Sequence, residues 1–169
     1  MAKIGLTQGT VNLGDIDIPI TSYGVTVSQT PAVTAGAYAA GDTVGGLLTF
    51  ALAARVAGGG GAVLSALLVD DAGQDAALEL WLFNQTFGAV ADNAPWAPAE
   101  ADLENLIGVI YSTDGAWAAA GTPSVNSIKA IGLRYDLTGT SMFGQLVTRG
   151  TPTFAAVDDV TVKVQLLQD

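Results

Sequence analysis

The chain has 169 residues, a net charge of −10, no cysteine and no histidine. Disulfides, thiolate zinc sites and cysteine nucleophiles are excluded, and so are the usual neutral-pH general base and the Ser-His-Asp arrangement. The six basic residues (Lys3, Arg55, Lys129, Arg134, Arg149, Lys163) form no cluster in sequence that could replace phosphate counterions, so no nucleic-acid partner is expected.

Residues 1–23 read as an extended N-terminal arm or an edge strand, because isolated aliphatics are split by Gly, Asn and Asp and Pro19 interrupts "IDIPI". Its Ile16, Ile18 and Ile20 are candidate interface residues. From residue 24 to 169 the chain reads as one β-sandwich domain. Gly24–Thr30 alternates and predicts a strand that Pro31 ends. Ala35–Asp42 is a strand-entry loop in which Tyr38 packs down and Asp42 caps the turn. A long strand is expected over Thr43–Val56, where Gly45 and Gly46 mark a bulge or a close approach by another backbone.

The glycine run within Ala57–Val63 lacks a following Lys-Ser or Lys-Thr pair and a helix, so a hairpin turn is expected there rather than a phosphate loop. Strands over Ala62–Asp71 and Ala76–Asn84 flank "DDAGQD". Its Asp70, Asp71 and Asp75 do not follow EF-hand spacing and suit an ordinary turn better than calcium. In "LELWLF", Leu78, Leu80 and Leu82 share one face, and Glu79, Trp81 and Phe83 the other. With both faces substantially apolar, Trp81 and Phe83 are expected in the core or at an interface with another subunit.

Pro98, a run of acids and Gly108 predict one short helix across one end of the body, with Leu103, Leu106 and Ile107 on one side. Val109–Gly121 predicts two short strands. Ser127–Leu137 and Ser141–Gly150 read as a hairpin joined by "TGT". In the last strand, Val160–Gln168, Val160, Val162, Val164 and Leu166 face inward. About eight or nine strands without βαβ alternation predict an all-β fold, an antiparallel β-sandwich with one short inserted helix; a jelly roll is the favoured topology, and the strand pattern does not separate it from other sandwiches.

No apolar stretch approaches the ~20 residues of a membrane span, and the N-terminus lacks the apolar core of a secretory signal, so a soluble protein made in a cytoplasm is expected. Chemistry would need carboxylates. Glu100 and Glu104 are expected to face water, and Glu79 has no second acid near it in sequence. The Asn84-Gln85-Thr86 acceptor pattern has no weight without secretion. No catalytic, cofactor or metal residues are assigned, and no enzyme activity is expected. Trp81, Trp96 and Trp117 are the candidate stacking platforms if the chain instead binds glycans or receptors.

"AYAAGDTVGGLLTF", "VLSALLVDDAGQDAALELWLFN", "ADNAPWAPAEADLENLIGVI" and "GTSMFGQLVTRGTPTFAAVDDVTVKVQLLQD" follow in an order that resembles small virion proteins encoded among the head genes of tailed bacteriophages. The resemblance covers roughly residues 24–169. It implies a capsid decoration, or cement, protein on the outer shell of the virion. Its partner would be the major capsid protein, and it would bind as a homo-oligomer, commonly a trimer.

Overall fold

The computed structural model describes residues 23–169. The expected arm or edge strand therefore lies outside the described residues except for Tyr23, the first residue of β1 (Tyr23–Gln29). Eleven further strands follow: β2 (Gly36–Ala37), β3 (Thr43–Phe50), β4 (Gly60–Asp70), β5 (Leu78–Phe83), β6 (Leu106–Tyr111), β7 (Trp117–Ala119), β8 (Ser124–Ile128), β9 (Leu133–Asp136), β10 (Met142–Thr148), β11 (Thr153–Phe154) and β12 (Val160–Gln168). One short helix, α1 (Glu100–Leu103), precedes β6.

These strands build an antiparallel β-sandwich, as the alternation predicts. The larger sheet runs β1-β12-β4-β8-β7, with β9 also paired to β4, and the smaller runs β3-β10-β5-β6. A small ribbon, β2 with β11, stands apart. Connections repeatedly cross between the layers: β1 to β3, β3 to β4, β4 to β5, and β10 to β12.

The core lies between the sheets. From the larger sheet come Val27, Val63, Leu68 and the row Val160, Val162, Val164 and Leu166; from the smaller come Val44, Leu48, Phe50, Leu78, Leu80, Leu82, Met142 and Leu146. Each such side chain, moved from water to the seam, stabilises the fold by about 1.5–3 kcal/mol. The alternation in β12 is the clearest case, since its inward residues are all buried while Lys163 and Gln165 are exposed.

Four expectations need correction. First, the strand over 43–56 stops at Phe50. Residue 52 is a leucine in the left-handed region (φ 57°), and the chain turns there, leaving Leu52 and Val56 exposed. Second, the glycine run is not all turn, since Gly60 and Gly61 begin β4. Third, the helix is only one turn long and buries none of its residues. Leu106 and Ile107 instead enter β6, where Leu106 pairs with Phe83 and Val109 with Trp81; an unanchored short helix cannot compete with that ladder.

Fourth, Ser127–Leu137 and Ser141–Gly150 do not form a hairpin. The first segment breaks into β8 and β9 at Ala130 (φ 56°) and Gly132 (φ 67°), and both halves pair with β4, end to end. β10 lies in the other sheet, between β3 and β5. "TGT" is thus a link across the sandwich, and its Thr138 N–H donates to the Asn84 carbonyl.

The bulge expected at Gly45 is present. The β10–β3 register shifts between Gly144 and Leu146. Gly45 sits at φ 73°, and a Cβ there would lie 2.2 Å from Pro31 Cβ. Gly46 has open space around it. Gly45→Ala should therefore lower stability by about 2 kcal/mol, while Gly46→Ala should stay within about 0.5 kcal/mol; denaturant midpoints of the two variants check this.

Candidate functional site

Both outer faces of the sandwich are made by the residues that alternate with the core rows. On the smaller sheet, β5 turns Glu79, Trp81 and Phe83 outward, as the sequence predicts. Around Phe83 that face is not open to solvent, although Leu47 and Tyr111 at its edges are exposed. Residues 84–99 fold back over it and are held by buried polar groups.

Gln145 supplies the central clamp. It is fully buried, its Nε2 donates to the carbonyls of Gly45 (2.8 Å) and Val90 (3.0 Å), and its Oε1 accepts from Val90 N–H (3.1 Å). Asp92 pins the other end. Its carboxylate accepts from the N–H groups of Gly45 (2.6 Å) and Thr34 (2.7 Å) and from the Tyr38 hydroxyl (2.8 Å). Thr43 ties the loop to β3, its N–H donating to the Ala94 carbonyl while its carbonyl accepts from Asn93 N–H. No sequence motif announces these anchors; the only signal is a glutamine inside the otherwise apolar run of β10.

Tyr38 packs down as expected, buried edge-on against Phe154 with ring centroids 5.1 Å apart. Burial and the Asp92 carboxylate push its phenol well above the usual tyrosine range. Asp42 caps the turn by accepting Ala39 N–H at 2.7 Å. The strand-entry loop Ala35–Asp42 is a structural joint that also carries β2.

The clamped loop closes an aromatic layer. Phe87 stacks on Phe83 (4.0 Å), and Trp96 stands perpendicular to Phe87 (6.3 Å) and tilted against Trp81 (5.5 Å). Phe83 is consequently 0% exposed: what covers it is its own chain, not a partner. Trp81 is half-buried, and its Nε1 donates to Glu79 Oε2 at 3.0 Å. Ile16, Ile18 and Ile20 lie outside the described residues.

Glu79 ends this row in an ion pair with Arg149 (2.8 Å). The guanidinium hydrogen bond, helped by the Trp81 indole, holds its carboxyl below the usual glutamate range despite partial burial. A carboxyl biased this way stays ionised; it is not a proton donor near neutral pH. Glu100 and Glu104 face water as expected.

Asp70 takes the turn role over the calcium role. It is buried, and its carboxylate accepts from Ala72, Gln74 and Asp75 N–H groups. Burial raises its carboxyl above the ordinary value. No cluster of three metal-ligating side chains occurs among the described residues. Trp117 is half-buried against the core and donates to the Ala76 carbonyl (3.2 Å). None of Trp81, Trp96 and Trp117 is fully exposed.

Two outcomes test this arrangement. Gln145→Leu should leave the Gly45 and Val90 groups unpaired, lower stability by about 3 kcal/mol and red-shift the tryptophan emission as Trp81 and Trp96 become wetter. Glu79→Gln should cost under about 1 kcal/mol, because Arg149 is half exposed and screened. The folded-state pKa of Glu79 is depressed, so its contribution is present above the ordinary value of 4.5 and fades as pH falls through the folded value. Wild type and variant should converge in acid denaturation profiles below that range. Compared with known protein families, curated proteins and solved structures, the chain matches none.

Proposed function

We propose that the chain is a capsid decoration protein that binds the outer surface of a bacteriophage head as a homo-oligomer, most simply a trimer, and bridges neighbouring copies of the major capsid protein. The observation that carries this is the pair of strand orders β1-β12-β4-β8 and β3-β10-β5-β6. With connections that cross repeatedly between the layers, these orders support a jelly roll, an architecture that viral capsid and lectin domains both use. Fold alone names no function. The resemblance of residues 24–169 to virion head proteins favours the capsid over the lectin assignment.

The physics suits a passive clamp. Two sheets packed through aliphatic rows resist shear, because close-packed interiors are poorly compressible. A stiff body seated across a seam between shell subunits adds buried area there. An oligomer touching several subunits at once multiplies a modest contact energy through avidity.

Purified protein should co-sediment with expanded phage heads that lack it and raise their disruption temperature in calorimetry. Absence of binding at native salt would overturn the assignment. Saturable binding to a glycan array without binding to heads would move it to the carbohydrate-binding alternative.

A further inference from the structure

The outer face of the larger sheet carries a shallow groove of about 450 Å³ whose floor is Leu64, Ser65 and Leu67 of β4. Leu64 is the extra residue of a bulge, since Gln165 pairs with Ser65 and Leu166 with Val63, and it is 40% exposed. Lys163 of β12 lines one side of the groove, and Lys129, just after β8, lines the other. The chain carries 16 acids and 6 bases. Yet the outward residues of β4, β8 and β12 include no Asp or Glu. Only β9, paired with the opposite end of β4, turns Arg134 and Asp136 outward. Among the described residues neither Lys129 nor Lys163 makes an ion pair.

A surface of the opposite character lies on the other layer. Helix α1 rests on the cover of the smaller sheet, where the Asp102 carboxylate accepts the Gly88 N–H at 3.2 Å. Away from that contact, Glu100, Leu103 and Glu104 are all exposed. Their spacing puts them on one side of the turn, with Leu103 beside both carboxylates. Leu103 is 40% exposed and nothing on its own helix covers it. One face thus shows leucines between two lysines, and the other a leucine beside two glutamates.

We infer that α1 of a second copy of this chain docks in the groove, with Leu103 on Leu64 and Leu67 and with Glu100 and Glu104 against Lys129 and Lys163. Charge complementarity selects the occupant, because an acid-free patch on a chain of net charge −10 attracts acidic surface. The dimensions agree. The lysines stand about 10 Å apart, two strand spacings, and the glutamates about 5–6 Å apart, one helical turn; the long lysine stems span the difference. A molecule cannot fill its own groove, since α1 lies over the smaller sheet and the groove opens on the outer face of the larger. The contact is therefore head-to-tail, the kind that closes copies into a ring. Ring closure makes the last contact intramolecular, which offsets the weakness of each exposed ion pair. The assignment rests on the homo-oligomer proposed above and not on its binding to a capsid.

Sedimentation of the full-length protein at low salt, with no phage heads present, tests this contact separately from head binding. Wild type should self-associate as its concentration rises, and less so at high salt. Lys129→Glu with Lys163→Glu should weaken self-association about tenfold, and so should Glu100→Lys with Glu104→Lys. Leu103→Ser should weaken it without changing the charge. Mixing the two charge-reversed proteins should restore association, because the acidic α1 of the first meets the basic groove of the second, and the reverse. A folding defect in either variant would not permit that recovery. Wild type that stays monomeric at roughly millimolar concentration would overturn the assignment. So would charge-reversed variants that associate like wild type, or a mixture that associates no better than its components.

Discussion

The inward rows of β12 and β5 belong to one aliphatic core between the two sheets, and every other feature hangs from that core. Val160, Val162, Val164 and Leu166 on one side and Leu78, Leu80 and Leu82 on the other belong to one buried cluster with Leu48, Leu68 and Leu146. With no disulfide available and no described metal cluster, aliphatic packing must offset the entropy of ordering the chain. The seam also determines the outer faces, because in a pleated strand whatever does not point inward must point out.

The two outer faces then follow different courses. On the smaller sheet, aromatic residues would have been left in water, and the chain covers them with its own residues 84–99. That cover is apolar in its contacts but polar in its attachment: Phe87 and Trp96 fill the space, while Gln145, Thr43 and Asp92 fix the backbone above it. Buried polar clamps of this kind are stringent, since each group left unpaired costs more than a formed hydrogen bond contributes. On the larger sheet the outward residues of β4, β8 and β12 include no acid, while β9 turns Arg134 and Asp136 outward.

Charge is distributed accordingly. Asp42, Asp70 and Asp92 are spent on holding backbone N–H groups in turns and loops, and Glu79 is neutralised by Arg149. Acids at the α1 end and on exposed turns face water, where a net charge of −10 keeps copies apart except where a surface lacks acids. Such a charge distribution favours contact through selected faces over general stickiness.

Much of this was legible in the residue order. Alternation in "VTVKVQLLQ" and "LELWLF" correctly assigns inward and outward side chains, Gly45 marks a bulge, and Asp42 and Tyr38 mark a joint. Those properties are local: facing depends on a period of two, and a turn depends on its own few residues. What the order did not disclose is which strands lie side by side. Leu106 and Ile107 look helical until β5 offers a ladder, "TGT" looks like a hairpin loop until its flanking strands join opposite sheets, and Phe83 fits a core or an interface until Phe87 stacks on it. Lys129 and Lys163 look scattered until β4 comes to lie between them. Pairing and cover are long-range choices, made by competition among partners a hundred residues apart, and no local pattern records which partner wins.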